Sequence, residues 1–159
     1  MDVSNLLKNE KLQLEQRSQN FPYSLLLLAD ETIEAIDKYI HKSEVYVLKK
    51  DKEEIAVVCL YYIDDEFVEI KNIAVSEIFQ SKGIGSFLIK QIQNIVKNKG
   101  FKSLIVGTPD CSFSQINFYE KNGFKKYQIR KNFYIDNYKI PIIENGIMLK
   151  DMQLLIYKF

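Results

Sequence analysis

The sequence predicts an α+β or mixed α/β domain built around one central sheet. Runs rich in β-branched and aromatic residues, which are typical of strands, occupy much of the first half of the chain. A strand–helix–strand–helix stretch follows, and two further extended runs complete the order. No repeat, low-complexity tract or linker rich in proline, glycine or serine divides the chain, so we expect residues 1–159 to form a single domain.

Local patterns predict the elements of the first half. Lys11–Arg17 alternates polar and apolar residues and predicts a first strand. Asp30 is a typical N-cap residue, and it precedes a predicted helix from Glu31 to His41 that carries one apolar stripe. Val45–Lys50 and Ile55–Ile63 are separated by a short polar segment, which predicts a hairpin.

The second half begins with a predicted strand, Phe67–Val75. Apolar residues at helical spacing predict a long helix that starts near Ile84 and ends near Gly100. A short apolar strand, Ser103–Val106, and a second helix, about Ser114–Lys121, come next. Two runs rich in aromatic and β-branched residues are predicted to be extended: Phe124–Ile135 and Leu149–Phe159.

The predicted strand Phe67–Val75 changes its buried face part-way along. Apolar residues occupy even positions at Val68 and Ile70, and then odd positions at Ile73 and Val75. A β-bulge near residues 71–72 explains this switch, and bulges are common beside active sites.

Composition and charge exclude several classes of partner. Hydrophobic residues make up 47% of the chain and charged residues 27%, a balance typical of a globular protein. A formal net charge of +1 gives no overall field that would attract nucleic acid, so we expect no nucleic-acid partner. No apolar run approaches the roughly 20 residues that span a bilayer, so we expect no membrane partner.

Histidine and cysteine usage narrows the chemistry further. His41 is the one histidine, which argues against a histidine-based metal site and against a Ser-His-Asp hydrolase. We therefore expect no metal. Cys59 and Cys111 are too few for a disulfide framework, which favours a reducing, cytoplasmic location. Without an evident partner to stabilise a thiolate, Cys111 is expected to be inert.

A glycine-containing join between the predicted strand and the long helix carries the strongest functional signal. Gly83 and Gly85 allow positive φ and close approach of the main chain to a ligand. The first N–H groups of a helix lack intrahelical partners and favour negative charge, so the segment predicts a pyrophosphate site to which Lys82 adds a charge. Leu88 stands where a dinucleotide fingerprint needs glycine or alanine. An ordinary strand-to-helix turn is the structural alternative.

Two motifs carry a resemblance to a known family. Gln80-x-x-Gly83-x-Gly85, followed by an amphipathic helix, resembles the coenzyme A signature of the GNAT superfamily of N-acetyltransferases. Asn117–Phe124 resembles the same superfamily's aromatic-Tyr-x-x-x-Gly-Phe segment. The resemblance covers about residues 45–134, and the tail from Ile143 to Met152 is similar to a little-characterised bacterial subgroup.

The resemblance implies a fold, a donor and a reaction. It implies one mixed sheet, largely antiparallel, flanked by helices, with a splayed parallel pair formed by Phe67–Val75 and Ser103–Val106. It also implies that acetyl-CoA donates an acetyl group to a primary amine by direct attack in a ternary complex. Pantetheine would pair with the main chain of Ile73, Ala74 and Val75, and Asn117 would face the coenzyme. The pyrophosphate would meet a segment consisting of Gln80, Ser81, Lys82, Gly83, Ile84, Gly85 and Ser86.

Two residues are the catalytic candidates that the resemblance implies. Glu69 falls where several members of the superfamily carry a general base, and its alternative is an exposed strand carboxylate paired with Lys71. Tyr119 aligns with the tyrosine that protonates the departing thiolate, and its alternative is a core tyrosine packed beside Phe118 and Phe124.

Several features of the active site stay open at the level of sequence. Asn117 has the alternative of satisfying local main chain, and Ser112 stands where the family often has asparagine; Asp110 or Ser114 could substitute for it. Tyrosines are candidates for the wall of an acceptor pocket, with packing as their alternative: Tyr61, Tyr62, Tyr127, Tyr134 and Tyr138.

Two other functions remain in competition with the enzyme. A non-catalytic acyl-CoA sensor or regulatory module would share the glycine segment but not need Glu69 and Tyr119. A nucleotide-binding protein would prefer ATP. For the enzyme, the acceptor is expected to be a small-molecule or peptide amine, and the protein is expected to be a monomer or a homodimer.

Overall fold

A seven-stranded sheet forms the centre of the computed structural model, which describes residues 12–159. Its strand order is β1-β2-β3-β4-β5-β9-β6, and every neighbouring pair is antiparallel except β4 and β5. A separate two-stranded ribbon pairs β7 with β8. The strands are β1 (Leu12–Arg17), β2 (Glu44–Lys50), β3 (Glu53–Tyr62), β4 (Phe67–Val75), β5 (Ser103–Pro109), β6 (Lys125–Arg130), β7 (Ile143–Glu144), β8 (Ile147–Met148) and β9 (Met152–Lys158).

Helices cover both faces of this sheet. They are α1 (Tyr23–Leu26), α2 (Ile33–Asp37), α3 (Ile84–Asn98), α4 (Phe113–Lys121) and α5 (Phe133–Asn137), with 3-10 turns at Ile40–Lys42 and Glu77–Phe79. The predicted mixed fold around one central sheet is therefore confirmed. Among the described residues, none of the helices has the length and apolar character needed to cross a bilayer.

Each face of the sheet has its own apolar core. On one face, α3 packs through Leu88, Ile89 and Ile92, which are fully buried. Full burial of each such side chain stabilises the fold by roughly 1.5–3 kcal/mol relative to exposure. On the opposite face, Leu26 of α1 and Ile36 of α2 pack against β2 and β3. The two cores hold β4 and the start of α3 in fixed positions.

β4 and β5 separate part-way along their length. Their parallel pairing runs only from Phe67 and Ser103 to Ile70 and Val106. Beyond these residues β4 continues to Val75 and β5 to Pro109 without pairing to each other. The expected splayed parallel pair is thus confirmed, and it leaves a V-shaped opening in the sheet.

A β-bulge lies where the sequence predicted one. The register between β3 and β4 moves from Cys59 opposite Asn72 to Leu60 opposite Ile70, which leaves Lys71 as the extra residue. As a result, Glu69 and Asn72 share the face covered by α1 and α2, although they are an odd number of positions apart. Asn72 reaches α1 there, since its Nδ2 donates to the carbonyl of Leu26 at 3.0 Å.

The predicted helix from Glu31 to His41 is wrong at both ends. Helix α2 begins at Ile33, and its N-cap is Thr32, whose Oγ1 accepts the N–H of Ala35 at 3.0 Å. Asp30 does not cap the helix, because its Oδ1 accepts the N–H of Glu31 at 2.7 Å and the hydroxyl of Tyr138 at 2.6 Å. These bonds hold a loop in place of a first helical turn.

The predicted extended run Phe124–Ile135 is wrong in its second half. Strand β6 ends at Arg130, and Asn132 takes a φ of 58° while its N–H donates to Asp151 Oδ1 at 2.8 Å. The chain then forms α5, which the sequence pattern did not indicate. Helix α1 and the β7–β8 ribbon were likewise not predicted. The other predicted elements are present with small shifts of their ends, and Lys11 lies outside the described residues.

Candidate active site

The two glycines of the strand-to-helix join have different structural roles. Gly83 has a φ of 83°, which a residue with a Cβ rarely adopts, and it occupies the N-cap position of α3. Gly85 lies inside the helix, where an added Cβ would lie 3.2 Å from Cζ of Phe118. Gly83 therefore shapes the turn, and Gly85 lets α4 pack closely against α3.

The main-chain amides of this turn are free within the described residues. None of the N–H groups from Ser81 to Ser86 donates to another residue between 12 and 159, and the first intrahelical bond is made by Phe87 to the carbonyl of Gly83 at 3.0 Å. These groups lie at the start of a 15-residue helix, where the helix dipole favours an anion. The turn can accordingly hold a phosphate or diphosphate group.

A cavity of about 830 Å³ occupies the splay between β4 and β5. Its walls come from the end of β4, the glycine turn, the start of α4 and the loop before α2. We call it the first cavity. Eight of the sequence-predicted coenzyme residues line it: Ile73, Ala74, Val75, Gln80, Ser81, Gly83, Gly85 and Ser86.

Three other predicted coenzyme residues do not line this cavity. Lys82 holds its Nζ 5.8 Å from the ring centroid of Phe79, and Ile84 is buried in the core. Asn117 is exposed on the outer side of α4. Besides Tyr119, the α4 residues that line the cavity are Ser114, which the sequence offered as a substitute for the family's asparagine, and Gln115 and Phe118, which were not predicted to contact the coenzyme. Helical spacing could have identified them, because Gln115 lies one turn before Tyr119, whereas Asn117 lies on another face.

Alternate residues of β4 direct their main-chain N–H and C=O groups into the splay. The N–H of Ser76 donates to the carbonyl of Ile55 at 2.8 Å, which fixes the hydrogen-bonding phase of the antiparallel pair. Ala74, two residues earlier, therefore directs its polar groups to Val57 of β3. Ile73 and Val75 direct theirs into the splay, where the side chain of Gln80 donates to the carbonyl of Val75 at 2.9 Å.

Tyr119 is both a packed side chain and a wall of the first cavity. Its ring contacts those of Phe118 and Phe124 edge-on, at centroid distances of 5.2 and 5.6 Å. Burial raises the pKa of Tyr119 above its ordinary value of 10.0, so the phenol stays protonated at neutral pH. Its hydroxyl makes no hydrogen bond to another residue between 12 and 159, which leaves a proton donor available to a ligand.

A second cavity, of about 400 Å³, adjoins the first on the α1–α2 face. Its walls carry five aromatic side chains from four parts of the chain: Tyr39, Tyr61, Phe133, Tyr134 and Tyr138. Three of the predicted pocket tyrosines are among them, whereas Tyr62 and Tyr127 are not. Helix α5 and the β7–β8 ribbon build much of this wall, so the second cavity depends on elements that the sequence pattern missed.

The two cavities share a set of residues that we call the neck. Their shared walls are Ala29, Asp30, Glu31, Ile70, Lys71, Gly107, Gln115 and Glu144. Gly107 leaves room there, since a Cβ would lie 2.3 Å from the sulfur of Met152. Burial, followed by the negative charges of Glu144 and Asp30, raises the pKa of Glu31 above its ordinary value.

Glu69 lies in the wall of the second cavity and is held by two cations. Only 3% of its surface is exposed. Arg130 binds both carboxylate oxygens, with Nη2 at 2.5 Å from Oε1 and Nη1 at 3.4 Å from Oε2. Lys71, the bulge residue, places Nζ 2.7 Å from Oε2. The carboxylate is therefore paired with Lys71, as the sequence alternative supposed, but it is buried and not exposed.

Comparison with known proteins agrees with this geometry. The family described as Acetyltransferase (GNAT) domain matches residues 41–126, which is more than half of the chain. The chain belongs to the GNAT acetyltransferase family. As a member of this family it is an N-acetyltransferase, and the fold that the resemblance implied is confirmed.

Individual GNAT relatives match over nearly their full length. The N-acetyltransferase YvbK of Bacillus subtilis is 34% identical over 142 residues, covering 89% of this chain and 92% of YvbK. A GNAT family acetyltransferase from Elizabethkingia anophelis, solved with acetyl-CoA bound, superposes with a TM-score of 0.90 at 44% identity, covering 94% and 99% of the two chains. A B. subtilis acetyltransferase solved with CoA gives a TM-score of 0.85 at 34% identity, with coverage of 94% and 99%.

The paired carboxylate of Glu69 yields a stability prediction. We expect Glu69→Gln to lower the free energy of unfolding by about 2 kcal/mol, because it leaves Lys71 and Arg130 beside an uncharged group. Urea unfolding measures the change. The matched control is Glu66→Gln, which breaks the solvent-exposed pair of Glu66 with Lys102 and should change stability little. Equal losses in the two variants would contradict the assignment of a structural ion pair to Glu69.

Proposed function

We propose that this GNAT acetyltransferase moves the acetyl group of acetyl-CoA to a primary amine, by direct attack while both substrates are bound. The observation that carries the proposal is the junction of two cavities at one neck. Free main-chain amides lie at the far end of the first cavity, and a separate aromatic cavity opens on the other side of the neck. This arrangement suits a donor and an acceptor that meet without a covalent enzyme intermediate.

The first cavity fits coenzyme A in two respects. The N–H groups from Ser81 to Ser86 suit its diphosphate, and the exposed main chain of Ile73 and Val75 suits the amides of pantetheine. Ala74 contributes to the wall without main-chain pairing, because β3 already uses its polar groups. Gln80 holds the carbonyl of Val75 until a ligand competes for it. The acetyl-CoA found in the Elizabethkingia relative supports the same donor here.

The reaction requires one proton to leave nitrogen and one to reach sulfur. Acetyl-CoA supplies the acetyl thioester, whose carbonyl carbon forms a C–N bond as its C–S bond breaks. Tyr119 can give its phenolic proton to the sulfur, since burial keeps that proton in place at neutral pH. The phenol regains a proton from water, and the nitrogen loses its proton towards the polar neck.

Glu69 is better suited to positioning than to accepting this proton. Lys71 and Arg130 already contact both of its oxygens, so a proton from the amine would have to displace one of these cations. The ion pairs instead fix Lys71 at the neck and Arg130 in the second cavity. We propose that Glu69 acts through these two side chains.

The alternative of a non-catalytic acyl-CoA sensor has less support. A sensor needs the glycine turn but has no use for a second cavity that joins the first. It also does not need a phenol free to donate beside the splay. Glu69 and Tyr119 both line the cavities, whereas the sensor would have been favoured had both side chains pointed away.

The thiols are consistent with the expected cytoplasmic setting. Cys59 and Cys111 are both free, and burial raises the pKa of the Cys59 thiol to about 12, which makes it unreactive. Two unpaired cysteines suit a reducing compartment.

Substitution of Gly83 tests the donor site. We expect Gly83→Val to weaken CoA binding by at least about tenfold, because the turn that aims the amides needs a positive φ. Gly100→Val is the matched control: Gly100 has a φ of 89° just beyond the other end of α3 and no atom within 4 Å of an added Cβ. Isothermal titration with CoA measures both affinities. Unchanged affinity in Gly83→Val, or equal losses in the two variants, would contradict the site.

Substitution of Tyr119 tests the proton donor. Tyr119→Phe keeps the packed ring and removes the hydroxyl, so we expect kcat to fall by about 10- to 100-fold with little change in the affinity for acetyl-CoA. The control Tyr127→Phe removes a hydroxyl from a half-exposed side chain of β6 and should leave kcat unchanged. Thiol release with a fixed amine acceptor gives kcat. Equal values of kcat in Tyr119→Phe and the parent protein would remove Tyr119 from the mechanism.

A further inference from the structure

The neck carries two carboxylates that the fold does not use. Asp30 is fully engaged, because it accepts hydrogen bonds from the hydroxyls of Tyr39 and Tyr138 and from a main-chain N–H. Glu31 and Glu144 differ, since neither side chain makes an ion pair or hydrogen bond with another residue between 12 and 159. They come from separate parts of the chain, yet both line both cavities. The charge of Glu144 raises the pKa of Glu31, and the lysine of the neck, Lys71, is already paired with Glu69, so a cation supplied by a ligand would relieve the repulsion between the two acids.

An independent feature of the first cavity, next in sequence to the neck residue Lys71, also points to a ligand with N–H groups. Asn72 is only 4% exposed and belongs to the lining of the first cavity. Its Nδ2 donates to Leu26 and Tyr39, which fixes the orientation of the amide. Its Oδ1 is the one buried side-chain oxygen or nitrogen of the described residues without a hydrogen-bond partner. A buried acceptor left unpaired is costly, and a donor from a ligand would satisfy it.

The second cavity beyond the neck carries a group of aromatic side chains beside charged ones. Phe133 and Tyr134 meet edge-on at 5.1 Å, and Tyr134 stacks with Tyr138 at 6.2 Å. Tyr39 and Tyr61 also line this cavity. A volume of about 400 Å³ suits a small molecule and not a folded chain. A ligand ring that packs offset or edge-on against these side chains gains binding energy beyond that of its buried area.

The inference drawn from these observations rests on the proposed function and extends it to the acceptor. We propose that the acceptor is a small aromatic monoamine, bound as its ammonium ion between Glu31 and Glu144 with its ring in the second cavity. The nitrogen then lies at the neck, on the side of the first cavity where Tyr119 and the splay meet. The ring enters between the aromatic walls and displaces water from them.

The charges around the neck disfavour other amines. An α-amino acid carries its carboxylate two bonds from the nitrogen, so that group would come close to Asp30, Glu31 and Glu144, while the cation of the neck, Lys71, is already paired with Glu69. A diamine would place its second ammonium in the cavity that holds Lys38, Lys42, Lys71 and Arg130, where the one acid beyond the neck among the described residues, Glu69, is already paired with Lys71 and Arg130. A monoamine with an apolar ring avoids both repulsions.

The same carboxylates can prepare the nitrogen for attack. The bound ammonium must lose one proton before its lone pair can form the C–N bond, and Glu31 is placed to accept that proton. Because burial and its acidic neighbours raise the pKa of Glu31, the proton is shared more evenly than with an ordinary carboxylate. Glu31 is exposed enough to pass the proton to water, which restores the carboxylate.

A panel of four acceptors tests the proposal. Thiol release is measured with acetyl-CoA and 2-phenylethylamine, L-phenylalanine, 1,4-diaminobutane or a short peptide with a free N-terminus. We expect 2-phenylethylamine to have a kcat/KM at least about tenfold above that of each other arm, because the neck repels the extra charge of the amino acid and the diamine, and the second cavity suits a molecule smaller than the peptide. Turnover that favours the amino acid, the diamine or the peptide would overturn the acceptor assignment and leave acetyl transfer intact.

Paired variants test the role of the neck. In Glu31→Gln/Glu144→Gln we expect the dissociation constant for 2-phenylethylamine, measured by titration into the CoA-bound protein, to rise at least about tenfold. The affinity for acetyl-CoA should not change, and Glu34→Gln, an exposed acid of α2 outside both cavities, should change neither. Unchanged amine affinity in the double variant would overturn the proposal. Loss of acetyl-CoA binding in the unsubstituted protein would instead contradict the proposed function itself.

Discussion

Unpaired main-chain amides at the start of α3 are the feature on which the site depends. The N–H groups at this helix start have no acceptor among the described residues, so they favour the binding of an anion. They lie beside the opening in the sheet. The apolar face of α3, buried through residues such as Leu88 and Ile92, fixes where the amides point. The stability of one core therefore positions the amides that we propose bind the donor.

Two irregularities of β4 complete the arrangement. The strand parts from β5 after Ile70, which exposes main-chain groups of Ile73 and Val75 to a ligand. One residue later it bulges at Lys71, which places both Glu69 and Asn72 on the face covered by α1 and α2. In a regular strand Glu69 and Asn72 would point to opposite faces, because side chains alternate strictly and these residues are three positions apart. The donor and acceptor sides thus depend on a few consecutive residues.

The sequence predicted the donor side well and the acceptor side poorly, for physical reasons. Local signals encode a glycine turn, an amphipathic helix and a face switch, so the join at Gly83 and the bulge could both be read directly. The acceptor wall is built by long-range contacts. Asp30 looks like a helix cap but binds Tyr138, and Asn132 ends β6 through a bond to Asp151. No short window of sequence contains both partners of either bond. The roles of Glu69 and Tyr119 stay predictions.

The most direct test of the central claim is an amide NMR titration of the ¹⁵N-labelled protein with CoA and, separately, with pantetheine, which lacks the diphosphate. If the helix-start amides hold the diphosphate, CoA will shift the signals of Ser81 to Ser86 together with those of Ile73 and Val75. Pantetheine will then shift the β4 signals alone. Helix-start signals that stay unchanged on saturation with CoA, or that move equally with pantetheine, would contradict the account.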